Sequence, residues 1–134
     1  MDDHLVPIGL SMGCKAPTFP LTLDHSAHHV LVVFRDPPSL AVFALDGKQL
    51  AISEVCGDAD DMFFDAKRNR IYVSCGEGVL DIFDATAYRR VARIATVSGA
   101  TTSLLVPELD RLFVAVRSTT EHAASIWVFL LLRW

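Results

Sequence analysis

Asp65-Ala66-Lys67-Arg68-Asn69-Arg70-Ile71-Tyr72-Val73-Ser74-Cys75 decides the fold, because a polar, tight turn leads directly into a short run of β-branched and aromatic residues. That order predicts the second arm of a β-hairpin. Two other stretches follow the same plan: Val30-Leu31-Val32-Val33-Phe34, Ile71-Tyr72-Val73-Ser74-Cys75 and Leu112-Phe113-Val114-Ala115-Val116 begin 41 residues apart, twice over. A spacing kept twice predicts an internal repeat. The matching turns are Asp24-His25-Ser26-Ala27-His28-His29 and Val106-Pro107-Glu108-Leu109-Asp110-Arg111.

Working outward, each turn is preceded by a short apolar piece: Phe19 to Leu23, Met62 to Phe64 and Ser103 to Val106. Third strands are expected at Leu40-Ala41-Val42-Phe43, Leu80-Asp81-Ile82-Phe83 and Ser125-Ile126-Trp127-Val128-Phe129, the last arriving three residues late because Ser118 to Ser125 absorbs an insertion. Fourth strands are expected at Gln49 to Ser53 and Arg90 to Thr96. The third unit has none, since Phe129-Leu130-Leu131-Leu132-Arg133-Trp134 contains no turn residue; Leu5-Val6-Pro7-Ile8-Gly9-Leu10 is a candidate substitute, weakened by Pro7. Short β-branched segments broken by turn signals roughly every 8 to 12 residues leave almost no room for helix.

Four antiparallel strands per unit of this length make a β-propeller blade, whose two faces pack on its neighbours. The expected fold is therefore all-β: blades of four-stranded antiparallel meander sheets, about three of them, in an incomplete ring. An N-terminal strand and lead-in would occupy residues 1–16 and the partial propeller 17–134, with blades at about 17–55, 58–96 and 100–130. The competing architecture is an irregular β-sandwich with coincidental spacing.

Composition agrees with a packed domain. The 134 residues are 51% hydrophobic and 21% charged, with mean hydropathy +0.36, enough apolar surface to offset chain entropy and exclude disorder. With 12 Lys plus Arg against 16 Asp plus Glu, the chain lacks the positive field that general nucleic-acid binding needs. Cys14, Cys56 and Cys75 form no C-x-x-C pair and read as buried thiols, with neither a disulfide framework nor a zinc site legible in their spacing. The acidic start Met1-Asp2-Asp3-His4 has no export-signal character, and the longest apolar run, Ile126 to Leu132, is too short to span a membrane. Taken as written, the chain is expected in the cytoplasm by default.

Gly57 to Gly78, running on through Val79-Leu80-Asp81-Ile82-Phe83-Asp84 to Arg93-Ile94, resembles the YVTN-type, or YncE-like, bacterial β-propeller repeats. The recognisable part is D-x-x-x-x-R-hydrophobic-Y-V-S followed by an approximation of V-x-D-I-F-D. The resemblance covers about Pro17 to Phe129 and implies a scaffold without naming a substrate. It implies a periplasmic or secreted setting if the amino terminus is truncated. About three blades cannot close a ring alone, so further blades, a second copy or an open array with exposed edges is expected.

Three clusters invite functional readings. Asp58, Asp60 and Asp61 are expected in a loop leading to an innermost strand, where a divalent cation such as calcium or a polar ligand could sit, although the full calcium-loop pattern is absent. His25, His28 and His29 have the spacing of metal ligands on a helix but fall in a hairpin, where polar turn residues suffice to explain them. Arg89, Arg90 and Arg93, with Lys67, Arg68 and Arg70, make a basic stretch whose expected role is protecting sheet edges. No nucleophile elbow, phosphate loop or His-Glu-x-x-His motif occurs.

The leading expectation is a non-catalytic scaffold that binds a protein partner or small ligand across its loop face, with Asp58, Asp60, Asp61 and Arg117 as ligand-binding candidates. Self-association through exposed blade edges is a further expectation. The enzymatic alternative, implied by similar-looking lactonase-type propellers, has the three carboxylates hold a channel-bound cation and Arg117 stabilise an anion.

Overall fold

The computed structural model describes residues 5–6, 18–121 and 123–132. Eleven strands are present among them: β1 (Thr18–Asp24), β2 (His29–Arg35), β3 (Pro38–Phe43), β4 (Gln49–Glu54), β5 (Ala59–Asp65), β6 (Arg70–Cys75), β7 (Val79–Asp84), β8 (Arg89–Ala95), β9 (Ser103–Val106), β10 (Arg111–Val116) and β11 (Ser125–Leu130). The chain is all-β; one 3-10 turn, Pro107–Leu109, is the only helical element among the described residues. No helix among them is long and apolar enough to cross a membrane.

Strands pair in chain order as antiparallel meanders, giving sheets β1-β2-β3-β4, β5-β6-β7-β8 and β9-β10-β11 that do not close. Among the described residues the third sheet has three strands where the others have four, in keeping with the missing turn chemistry after Phe129. Leu5 and Val6, the first residues of the proposed substitute strand, are exposed and in no strand; Pro7 to Leu10 lie outside the described residues.

Turn chemistry explains the hairpins. His28, Asn69 and Asp110 adopt left-handed backbone at φ 57, 55 and 54°, each 41 residues after the last, a conformation that Asn, Asp and His tolerate better than other side chains. Gly47 and Tyr88 (φ 91 and 55°) and Asp58 and Gly99 (φ 58 and 84°) are left-handed pairs at the same interval. In the first two hairpins a buried aspartate holds the turn: Asp24 Oδ1 accepts from Ser26 N and Ala27 N at 3.0 and 3.1 Å, and Asp65 Oδ1 from Lys67 N at 3.0 Å. In the third, Val106 stands in that place and Pro107 opens the 3-10 turn instead.

Alternation along each strand sends neighbouring side chains to opposite faces. Leu31, Val33, Leu40 and Val42 of the first sheet pack with Ile71, Val73 and Phe83 of the second. The second sheet's other face sends Tyr72, Leu80 and Ile82 to Leu112 of the third. A sheet covered on both sides needs apolar residues at successive positions, which accounts for the unbroken hydrophobic runs.

The reading of separate cysteine thiols is corrected: Cys56 and Cys75 form a disulfide, with Cα atoms 5.9 Å apart. The β5–β6 hairpin returns Cys75 to the level of Ala59, and a register shift between Ala59 and Asp61 draws the approach to β5 over the end of β6. Cys14 lies outside the described residues.

Candidate functional site

Of the ligand-binding candidates, Asp58 lies just before β5, Asp60 and Asp61 lie within it and Arg117 follows β10. Three glycine-bearing segments meet around them, tied by backbone bonds: Gly76 N donates to Asp58 O (2.7 Å) and Gly99 N to Gly76 O (2.7 Å). Glycine suits both places: the Asp58 carboxylate occupies the space a Gly76 side chain would take, and Gly99 holds left-handed backbone at φ 84°. Glu77 Oε2 adds a bond from Gly57 N at 2.9 Å.

The acidic trio does not converge. Asp58 Oδ1 and Asp60 Oδ1 face Arg35 of the first sheet, at 3.5 Å from Nη1 and 3.8 Å from Nη2, while Arg35 Nη2 donates to Ala59 O at 3.1 Å. Asp61 turns toward the third sheet, where its Oδ2 accepts from Ser103 N at 2.7 Å and Ser74 Oγ meets Ser103 Oγ at 2.6 Å. Burial pushes the Asp61 carboxyl above its usual range, the Ser103 N–H opposes that, and the charge of Asp60 adds to it. The expected loop position is corrected for two of the three, since β5 begins at Ala59 and includes Asp60 and Asp61. Among the described residues no three His, Cys, Asp or Glu side chains come together as a metal-binding group.

Arg117 follows β10, is exposed, and lines an open hollow of ≈ 330 Å³ with Gly99, Thr101, Thr102, Ala115 and Val116. Among the described residues it pairs with no carboxylate. A free guanidinium beside threonine side chains can take an anionic oxygen ligand.

The histidines have three separate surroundings. His28 makes the left-handed turn, and His25 lies 6.2 Å from the Phe64 ring. His29 Nδ1 sits 2.7 Å from Tyr88 Oη, which donates to the buried Asp24 Oδ2 at 2.9 Å. Burial, and then the bond to Asp24, raise the Tyr88 hydroxyl above its ordinary range.

Most of the basic stretch is engaged in internal ion pairs. Arg93 clasps the fully buried Asp81 with Nε–Oδ1 at 2.7 Å and Nη2–Oδ2 at 2.9 Å, and Arg90 stands 3.6 Å from the same carboxylate. Arg68 bonds both the buried Asp65 and Asp110, Lys67 reaches Asp110 at 2.6 Å, and Arg70 reaches Asp84 at 3.3 Å. For Asp65 and Asp81 the physical reason is that a buried carboxylate requires a counter-charge. Asp81, which also accepts from Cys56 N at 2.9 Å, was missed as a site; its signal was a lone charge inside the apolar run Val79 to Phe83.

No protein-family model matches the chain, and no curated protein matches it.

Proposed function

We propose that this chain is a non-catalytic β-propeller repeat segment, similar to YncE-like proteins, which binds a small anionic ligand or a protein carboxylate at the loop end around Arg117. Recurrence of the left-handed residues at one interval in successive hairpins supports the modular reading. The binding reading rests on one observation: Arg117 stands without an ion-pair partner among the described residues, beside Thr101 and Thr102 at an open hollow whose Gly99 is tied to Gly76. Sites of this kind put function on loops held by a rigid sheet.

Thermal shift with inorganic phosphate and simple dicarboxylates tests it. A rise in Tm with at least one probe is expected, lost in Arg117→Ala; no rise with any probe overturns the reading. The lactonase-like alternative would have Asp58 and Asp60 leave Arg35 for a cation. A calcium-dependent rise in Tm abolished by Asp60→Ala would favour that alternative instead.

A further inference from the structure

We propose that the Cys56–Cys75 disulfide is a redox lock on the loop end: oxidised, it holds the three glycine-bearing segments together, and reduced, it lets 57–58 part from 76–77 and loosens the Arg117 hollow. The lock rests on the crosslink and its neighbours; only its consequence for ligands rests on the binding reading above.

Cys56 lies in the connection from the first sheet into β5, and Cys75 is the last residue of β6. They are 2 and 0% exposed. The residues beyond them are nearer to water: Gly57 is half-buried, and Asp58 and Glu77 are exposed. The crosslink therefore sits just beneath the surface, under a thin ladder. Gly76 N donates to Asp58 O at 2.7 Å, Glu77 N to Gly57 O at 3.4 Å, and Gly57 N to Glu77 Oε2 at 2.9 Å. Bonds so few and so near solvent open locally at low cost while the sheets stay folded. That opening gives a reductant its access.

A dithiol supplies the chemistry. Its thiolate attacks one sulfur of the pair and forms a mixed disulfide, and its second thiol then displaces the protein sulfur. The Cys56–Cys75 bond breaks, two electrons and two protons pass to the protein as two thiols, and the reductant leaves as its cyclic disulfide. Two thiols need more room than a bonded pair, and a close-packed site has little to spare. Asp81 Oδ2 accepts from Cys56 N at 2.9 Å in the buried interior, which keeps Cys56 docked. The displacement falls on Gly57 and Asp58.

From Asp58 the ties continue to the ligand site. Gly76 N bonds Asp58 O, Gly76 O accepts from Gly99 N at 2.7 Å, and Gly99 lines the Arg117 hollow with Thr101 and Thr102. On the other side Asp58 stands 3.5 Å from Arg35 of the first sheet, whose Nη2 donates to Ala59 O. One crosslink thus backs contacts to all three sheets at this end. A hollow ordered in advance costs a ligand less than one ordered on binding.

The full chain carrying Cys14→Ser, which leaves Cys56 and Cys75 as its cysteines, tests this when its oxidised and dithiothreitol-reduced forms are compared by backbone amide relaxation. Order parameters at Gly57, Gly76 and Gly99 should fall on reduction from about 0.85 to below about 0.6, while those of Ile71 and Val73 hold. Cys56→Ser with Cys75→Ser should reproduce that loss without reductant. Inorganic phosphate and succinate should bind the reduced form at least about tenfold more weakly in thermal-shift titrations. Unchanged order parameters at the three glycines overturn the proposal. So does a general loss that includes Ile71 and Val73, or equal affinity in the two forms. Loss at the glycines with neither probe bound in either form upholds the lock and fails the binding reading alone.

Discussion

The junction between the first and second sheets is deeper than the one between the second and third. Fourteen buried side chains form the first, from Leu31 to Tyr88, including the cysteine pair. At the second, four buried side chains (Tyr72, Leu80, Ile82 and Leu112) are supported by half-buried Phe63, Leu105 and Phe129. Polar contacts cross both junctions: Tyr88 reaches the buried Asp24 across the first, and Asp61 reaches Ser103 N across the second. Two successive contacts with the same strand order can thus differ in strength, and the third sheet should open first. Buried apolar contact sets local stability.

The largest expected effect lies in the first junction. Phe83 is fully buried there, and Phe83→Ala should cost about 4 kcal/mol in urea unfolding. Next comes the Cys56–Cys75 crosslink, which closes a loop of sequence separation 19; Cys56→Ser with Cys75→Ser should cost about 3 kcal/mol, measured against the oxidised chain. Leu112→Ala, at the second junction, should cost about 2 kcal/mol, because the half-buried neighbours can collapse into the gap. A larger loss for Leu112→Ala than for Phe83→Ala would reverse the comparison.

The smallest effect belongs to Asp110. A hydrogen bond from Lys67, with the charges of Lys67 and Arg68, holds its carboxyl below the ordinary 3.8. A depressed carboxyl contributes stability above its unfolded pKa and loses it as pH falls through the folded value. The difference in Tm between wild type and Asp110→Asn should therefore be present at neutral pH and shrink below pH 3.8. Asn also suits the left-handed backbone there, so the substitution isolates the charge.

Much of this architecture was legible in the chain. Ser103 to Val106 is β9 residue for residue, and the other predicted strands fall within a few residues of those observed, because turn chemistry at Asp24, Asp65 and Pro107 punctuates the apolar runs. Pairing within the first two sheets was legible from their hairpin turns, and the repeat, not connection length, separates the sheets, since the equally short connection 55–58 joins two of them. What escaped depends on packing between segments. The acidic trio looks like one cluster in sequence, yet Asp60 answers to Arg35 and Asp61 to Ser103, on different sheets. The disulfide was hidden because its spacing has no motif and the register shift before Asp61 cannot be counted from residue types. Asp24 and Tyr88 are joined by the packing of two sheets, which no local pattern encodes.

Methyl and aromatic nuclear Overhauser contacts test the order of the sheets most directly. Consecutive packing predicts cross-peaks linking the methyls of Leu31 and Val33 to those of Ile71 and Val73, and linking the Tyr72 ring to Leu112. Strong contacts from Val32 or Phe34 to Leu104, Phe113 or Ile126 would bring the first sheet onto the third in a sandwich and contradict it.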